Sequence, residues 1–153
     1  MSIIEDKLKK LGLKLAPPKP SVANYLGCKR FGELLFVSGR VSELSGEVDT
    51  DITEEEAKVA ARDTILLILS IIKKEIGDLD LIQNVLKVQG FIRSSANFTR
   101  QPYVLDGASD LLVELFGKNG QHARTATGIN QLPFGASVQL DIILQLKPGT
   151  DKI

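Results

Sequence analysis

A chain of 153 residues, 43% apolar and 25% charged, has room for one domain with its own core and not for two. Nineteen basic residues balance nineteen acidic ones, which argues against the clustered basic excess of a nucleic-acid footprint. One cysteine, Cys28, and one histidine, His122, exclude an intrachain disulfide framework and a zinc site built from Cys and His.

Residues 2–14 read as a short amphipathic helix with Ile4, Leu8 and Leu11 on one side. The first fifteen residues carry no signal-peptide apolar core, and the apolar run Ile65–Ile72 is too short to span a bilayer. The expected setting is soluble and reducing, the cytoplasm. Pro17-Pro18-Lys19-Pro20 breaks the helix and starts an extended segment. Leu34-Leu35-Phe36-Val37 is a strand, and Ser38-Gly39 marks a bend or bulge before Arg40-Val41 continues. Ser45-Gly46 is a turn.

Thr53 with Glu56 forms a capping box, and Glu54, Glu55 and Glu56 suit the positive end of a helix dipole. The helix carries Ala57, Ala61, Ile65, Ile68, Ile72 and Ile76 as a core stripe and stops at Gly77. Residues 84–94 read as a strand, with Leu86, Val88 and Ile92 on one face and Lys87, Gln89 and Arg93 opposite. A second helix is expected over residues 109–116, ending at Gly117. Two closing strands, 124–131 and 137–147, flank the turn Leu132-Pro133-Phe134-Gly135. The last strand alternates cleanly, Val138, Leu140, Ile142, Leu144 and Leu146 facing the core and Gln139, Asp141, Ile143 and Gln145 the other way. The order predicts a single α+β domain over 1–153, with helices on one side of a mixed sheet. Residues 1–20 and 148–153 are expected to be peripheral.

Chemistry concentrates in His122-Ala123-Arg124-Thr125-Ala126-Thr127-Gly128. An arginine ahead of a polar-faced strand can grip a carboxylate with two parallel hydrogen bonds. The plainer reading of Arg124 is a surface arginine in a salt bridge. His122 shares a strand face with Arg124 if the chain is extended, and is assigned a structural or pocket-rim role. Cys28 has no activating pattern around it and reads as an inert thiol.

These pieces, in this order, resemble the RidA/YjgF family from about Pro18 to Leu146. The carrying residues are Leu34 through Arg40, Gly46-Glu47-Val48, Arg124-Thr125, Leu132-Pro133 and Ser137-Val138-Gln139-Leu140-Asp141. The N-terminal helix, the run Gly107 to Leu112 and His122-Ala123-Arg124 resemble a longer branch of that family. The resemblance implies a chorismate-mutase-like fold and a homotrimer with sites in clefts between subunits. Family deaminases hydrolyse 2-imino acids to 2-keto acids and ammonia without metal or organic cofactor. On that resemblance Arg124 clamps the substrate carboxylate, and Tyr25, thirteen residues before Ser38, is the pocket tyrosine. Ser38 lines the pocket, or serves plain turn chemistry. Backbone groups near Ala126 polarise the imine. Ser109 stands near a pocket asparagine of the family, although a helix N-cap explains it equally well.

One position departs from the family. Fifteen residues after Arg124 the deaminases carry a glutamate credited with activating water, and here stands Gln139. An amide can hold a water through its carbonyl oxygen but cannot take up a proton at neutral pH. Asp141 offers a carboxylate on the same strand face, one strand repeat farther along. The resulting expectation is a trimer that binds a small carboxylate metabolite, with Arg124 and Gln139 as the catalytic pair if it hydrolyses imines. The alternative is a non-catalytic metabolite binder that has lost the water-activating glutamate. A third reading follows from family members described as endoribonucleases or translation inhibitors, and no residue pattern here adds to it. Neither a membrane nor a nucleic acid is an expected partner.

Overall fold

In the computed structural model, which describes residues 2–150, three helices and five strands follow the order α1 (Ile3–Lys10), β1 (Cys28–Phe31), β2 (Leu34–Val41), α2 (Glu54–Ile76), β3 (Ile82–Arg93), α3 (Gln101–Phe116), β4 (Ala123–Ile129) and β5 (Val138–Leu146). Strand order across the sheet is β1-β2-β5-β3-β4; β3 and β4 run parallel and every other pair is antiparallel. This is an α+β domain with a mixed sheet. No helix among the described residues is long and apolar enough to cross a membrane.

The last strand in sequence is the central one in space. β5 pairs with β2 on one side and β3 on the other, and its residues alternate between buried and half-buried along its whole length. Val138, Leu140, Leu144 and Leu146 are fully buried on the helix face, where α2 packs on β5 and α3 on β3 and β4. The same alternation puts Gln139, Asp141 and Ile143 on the far face.

The capping box of α2 is present in both directions: the Thr53 side chain accepts from the Glu56 backbone, and Glu56 accepts from the Thr53 N–H. Its stripe from Ala57 to Ile76 is buried, and Gly77 ends it at φ 90. The bulge at Ser38-Gly39 is also present, as a register shift between Val37 and Arg40 against β5.

Several expectations need correction. The second helix begins at Gln101, eight residues before the expected start, so Ser109 lies inside α3 and is not an N-cap. Gly107 hid the first half, because glycine ordinarily weakens a helix interior. Here it is required by the helix crossing: a Cβ on Gly107 would stand 2.0 Å from the Lys58 carbonyl oxygen of α2. Leu86 is not on the buried face; a register shift between Val85 and Lys87 places Val85 in the core and leaves Leu86 exposed. The first helix stops at Lys10, leaving Leu11 exposed.

The termini are also less peripheral than expected. Ile4 and Leu8 are buried, and Asp80 anchors the start of α1 by accepting from Ser2 Oγ, Ile3 N and Ile4 N at 2.7, 2.8 and 3.0 Å. Burial pushes the Asp80 carboxyl up, but these three hydrogen bonds together with the charge of Lys147 leave the group below its ordinary value. At the other end Thr150 is buried and accepts from Arg30 Nη2 at 2.8 Å. Met1 and residues 151–153 of the expected tail lie outside the described residues.

Gly107→Ala is expected to destabilise the fold by about 1–3 kcal/mol despite alanine's better helix propensity, because the added methyl meets backbone. A urea midpoint equal to or above wild type would show that the two helices can separate without cost.

Candidate functional site

The residues singled out in the sequence fall into two groups at opposite ends of the sheet order. The first group sits at the β4 edge. Arg124 pairs in register with Val88, a core residue, and so faces α3. Its Nη1 donates to Asp106 Oδ1 at 2.7 Å and to Ser109 Oγ at 3.2 Å. The Arg124–Asp106 pair is the salt bridge of the plainer reading, and only Nη1 of the guanidinium takes part in it.

His122 completes this group. Its Nδ1 lies 2.6 Å from the Gly120 carbonyl, which can only accept, so Nδ1 carries the proton. In the neutral ring Nε2 then accepts from the Ser109 hydroxyl at 2.8 Å. Ser109 is thereby fixed, with a lone pair turned to Arg124. The chain Gly120–His122–Ser109–Arg124 is a positioning network: it holds the guanidinium in place without consuming its Nε and Nη2 donors. Ala126 follows Arg124 on the same face of β4, paired with Gly90 and packed against the core. Among the described residues no strand lies beyond β4, so its outer edge is open there.

The second group surrounds a cavity at the opposite end of the sheet order. β1 starts at Cys28, opposite Val37, so among the described residues β2 beyond Val37 has no strand on its outer side. The cavity, about 570 Å³, opens there and is lined by Tyr25, Gly39, Arg40, Phe134 and Gln139 among others. Gln139 pairs in register with Phe91 and Val41 and faces away from the helices. Its amide makes no hydrogen bond among the described residues. Ser38 does not offer its hydroxyl to this space. Ser38 Oγ donates to the Leu26 carbonyl at 2.6 Å and its N–H to the Gly27 carbonyl at 2.9 Å, which ties down the segment carrying Tyr25. Phe134, 82% exposed, is held at the rim by a left-handed backbone with φ 61, a conformation costly for a residue other than glycine.

The fold therefore brings Tyr25 and Gln139 together, brings Ser109 and Arg124 together, and keeps the two pairs apart within one chain. Sequence reasoning missed Asp106, which lay in the unrecognised first half of α3, and Arg40, read only as part of a strand. Cys28 is buried, and its thiol is pushed up to about 12 by burial and by Glu75, opposed by Arg40. Such a thiol is no nucleophile. Asp141, on the far face with Gln139, is raised by burial, which Lys87 partly offsets. Among the described residues no three His, Cys, Asp or Glu side chains gather where they could share a metal ion.

The pattern of the YjgF/chorismate-mutase-like family, described as putative endoribonucleases, matches residues 5–144. Protein TCP17 of Trypanosoma cruzi is 38% identical over 150 residues, which is 94% of each chain. The crystal structure of Atu1372 from Agrobacterium tumefaciens, a protein of unknown function, is 37% identical with a TM-score of 0.89, covering 95% of this chain and 93% of that one. A Shewanella oneidensis MR-1 protein described as a putative endoribonuclease is 28% identical with a TM-score of 0.90, covering 94% and 99%.

The raised Asp141 carboxyl has a measurable consequence. The native state holds that proton more tightly than the unfolded chain, so this group's contribution to stability falls as pH rises from the ordinary carboxylate range, near 3.9, through the native titration. Asp141→Asn is expected to flatten that part of the profile, read as urea midpoints between about pH 4 and pH 7. An unchanged slope would remove Asp141 as its source.

Proposed function

The chain belongs to the YjgF/chorismate-mutase-like family, and from that membership we propose that it binds a small 2-keto or 2-imino carboxylate in clefts between the copies of a homotrimer. The observation that carries this reading is the division of the candidate site. Arg124 faces the helices at an open sheet edge, while Tyr25 and Gln139 line a cavity on the other side. Only a second copy can bring an Arg124 to that cavity. The exposed apolar groups point the same way: Phe134, Val22 and Tyr25 line the cavity, and Phe36 lies on the far face beside the half-buried Ile143.

In such a cleft the Arg124 guanidinium grips the ligand carboxylate through the donors that Asp106 leaves free. Tyr25 closes the pocket, and backbone groups near Ala126 polarise the imine. A water held by the Gln139 carbonyl oxygen adds to the imine carbon, its proton going to the imine nitrogen. The resulting carbinolamine expels ammonia and leaves the keto acid. Gln139 orients the water but takes no proton, so the step lacks the base that a glutamate supplies. That single amide favours a second reading, in which the same cleft binds the carboxylate without turning it over. The reaction needs no bound cofactor, and the cytoplasm is its proposed setting. RNA cleavage, the activity suggested by the family description, would be accepted if it survived repurification and vanished with Arg124→Ala.

Freshly generated 2-iminobutyrate distinguishes the first two readings. Wild type is expected to accelerate keto-acid release, Arg124→Ala to lose about a hundredfold or more in kcat/KM, and Gln139→Glu to raise the rate. Acceleration that survives in Arg124→Ala removes the clamp. No acceleration, together with Arg124-dependent binding of 2-oxobutyrate, establishes the non-catalytic binder.

A further inference from the structure

Arg40 is the one arginine among the described residues that is nine-tenths buried, and none of the ion pairs among those residues includes it. The bulge at Ser38-Gly39 is responsible for its position. After the register shift Arg40 pairs with Leu140, a core residue, and its side chain turns inward beneath the open edge of β2. Its Nε and Nη2 are buried without a hydrogen-bond partner. Nη1 meets only the Tyr25 hydroxyl, at 3.4 Å, the long limit of a hydrogen bond. No carboxylate forms an ion pair with it among the described residues.

The surroundings hold this charge in place. A Cβ on Gly27 would stand 3.3 Å from Arg40 Nη2 and 3.2 Å from Ile71 Cγ2, so the guanidinium packs closely against the Gly27 backbone. Of the residues lining the cavity, one is a carboxylate, Glu43, and it is paired with Lys19. The cavity is therefore left with one uncompensated positive charge, fixed on Arg40 beside Tyr25 and Gln139. A buried charge without a partner is costly and persists where something binds it.

We propose that Arg40 binds an anionic group of the ligand and that the ligand is a small dicarboxylate. This rests on the inter-subunit cleft proposed above. There Arg124 of one copy takes the carboxylate next to the reacting carbon, and Arg40 of the other takes the distal one. The cavity, about 570 Å³, is of the size that holds a small metabolite. Two arginines at its ends select for length and for charge at both ends, which a monocarboxylate satisfies only once.

Calorimetric titration of the full-length protein with 2-oxobutyrate and with 2-oxoglutarate tests this, in wild type, Arg40→Met and Arg124→Ala. Wild type is expected to bind the dicarboxylate tighter by about tenfold or more. Arg40→Met should bring that ratio to about one, while its ligand-free melting temperature stays level or rises, because an unpaired buried charge has been removed. A wild-type ratio near one, or a preference that survives Arg40→Met, overturns the proposal. So does a fall in melting temperature of ligand-free Arg40→Met with loss of the oligomer by sedimentation, which would mean that a neighbouring copy already supplies the anion. Arg124→Ala separates the two readings. If it binds both acids as wild type does while Arg40→Met loses the dicarboxylate preference, the Arg40 site stands and the Arg124 clamp falls. If it loses both acids while Arg40→Met changes nothing, the reverse holds. Binding of neither acid by wild type overturns both.

Discussion

β5 is hydrogen-bonded on both sides and alternates buried and half-buried residues without interruption, and the rest of the molecule is arranged around that alternation. Because the side-chain period of a strand is two, one set of β5 residues must seat α2 and α3 and the other must face away. A slip of one residue would bury Gln139 and Asp141 and expose five aliphatic side chains, so the register is strongly determined. That same determination separates the candidate site into halves. Gln139 is committed to the far face by Val138 and Leu140 beside it, and Arg124 to the helix face by its pairing with Val88.

Two local departures from regular geometry then shape what those faces can hold. The bulge in β2 turns Arg40 from the position that alternation would assign it and places a charge where an aliphatic residue would otherwise sit. The close crossing of α2 and α3 at Gly107 brings α3 down onto the sheet, where Asp106 and Ser109 reach Arg124. Ser109, His122 and the Gly120 carbonyl then restrict the arginine to one orientation. A clamp whose geometry is set before the ligand arrives loses less entropy on binding.

The regular parts of this fold are legible in the sequence because each rests on a short-range rule. The Thr53–Glu56 capping box, the isoleucine stripe of α2 and the alternation of β5 all declare themselves within a few residues. The parts that were not legible depend on contacts between distant segments. Gly107 looks like a helix breaker until Lys58 is seen against it, and Leu86 looks like a core residue until the register shift in β3 is known. Ile4 and Leu8 look like the face of a free helix until Asp80 is found anchoring its start. At the site, Arg124, Tyr25 and Gln139 were visible as residue types at telling separations. Their distribution over two faces was not, since strand order in the sheet does not follow strand order in the chain. Arg40 was invisible for a simpler reason: a bulge inverts the direction of the next side chain, and sequence marks the bulge without fixing the inversion.

The central place of β5 also governs the order in which the molecule can assemble. Leu34 pairs with Gln145 and Ile82 with Leu146, so the sheet is closed by a strand that is made after the four it joins. Until it arrives, β1-β2 and β3-β4 are two half-sheets, each with one inner edge unpaired and with α2's aliphatic stripe lacking its floor. Closing β2 onto β5 joins residues more than a hundred positions apart, and that loop entropy has to be met before the central pairing stabilises the sheet. Through that interval the nascent chain presents two complementary strand edges to any other copy being made nearby. The same late strand that gives the finished sheet its centre makes C-terminal truncation the change this fold is least able to absorb.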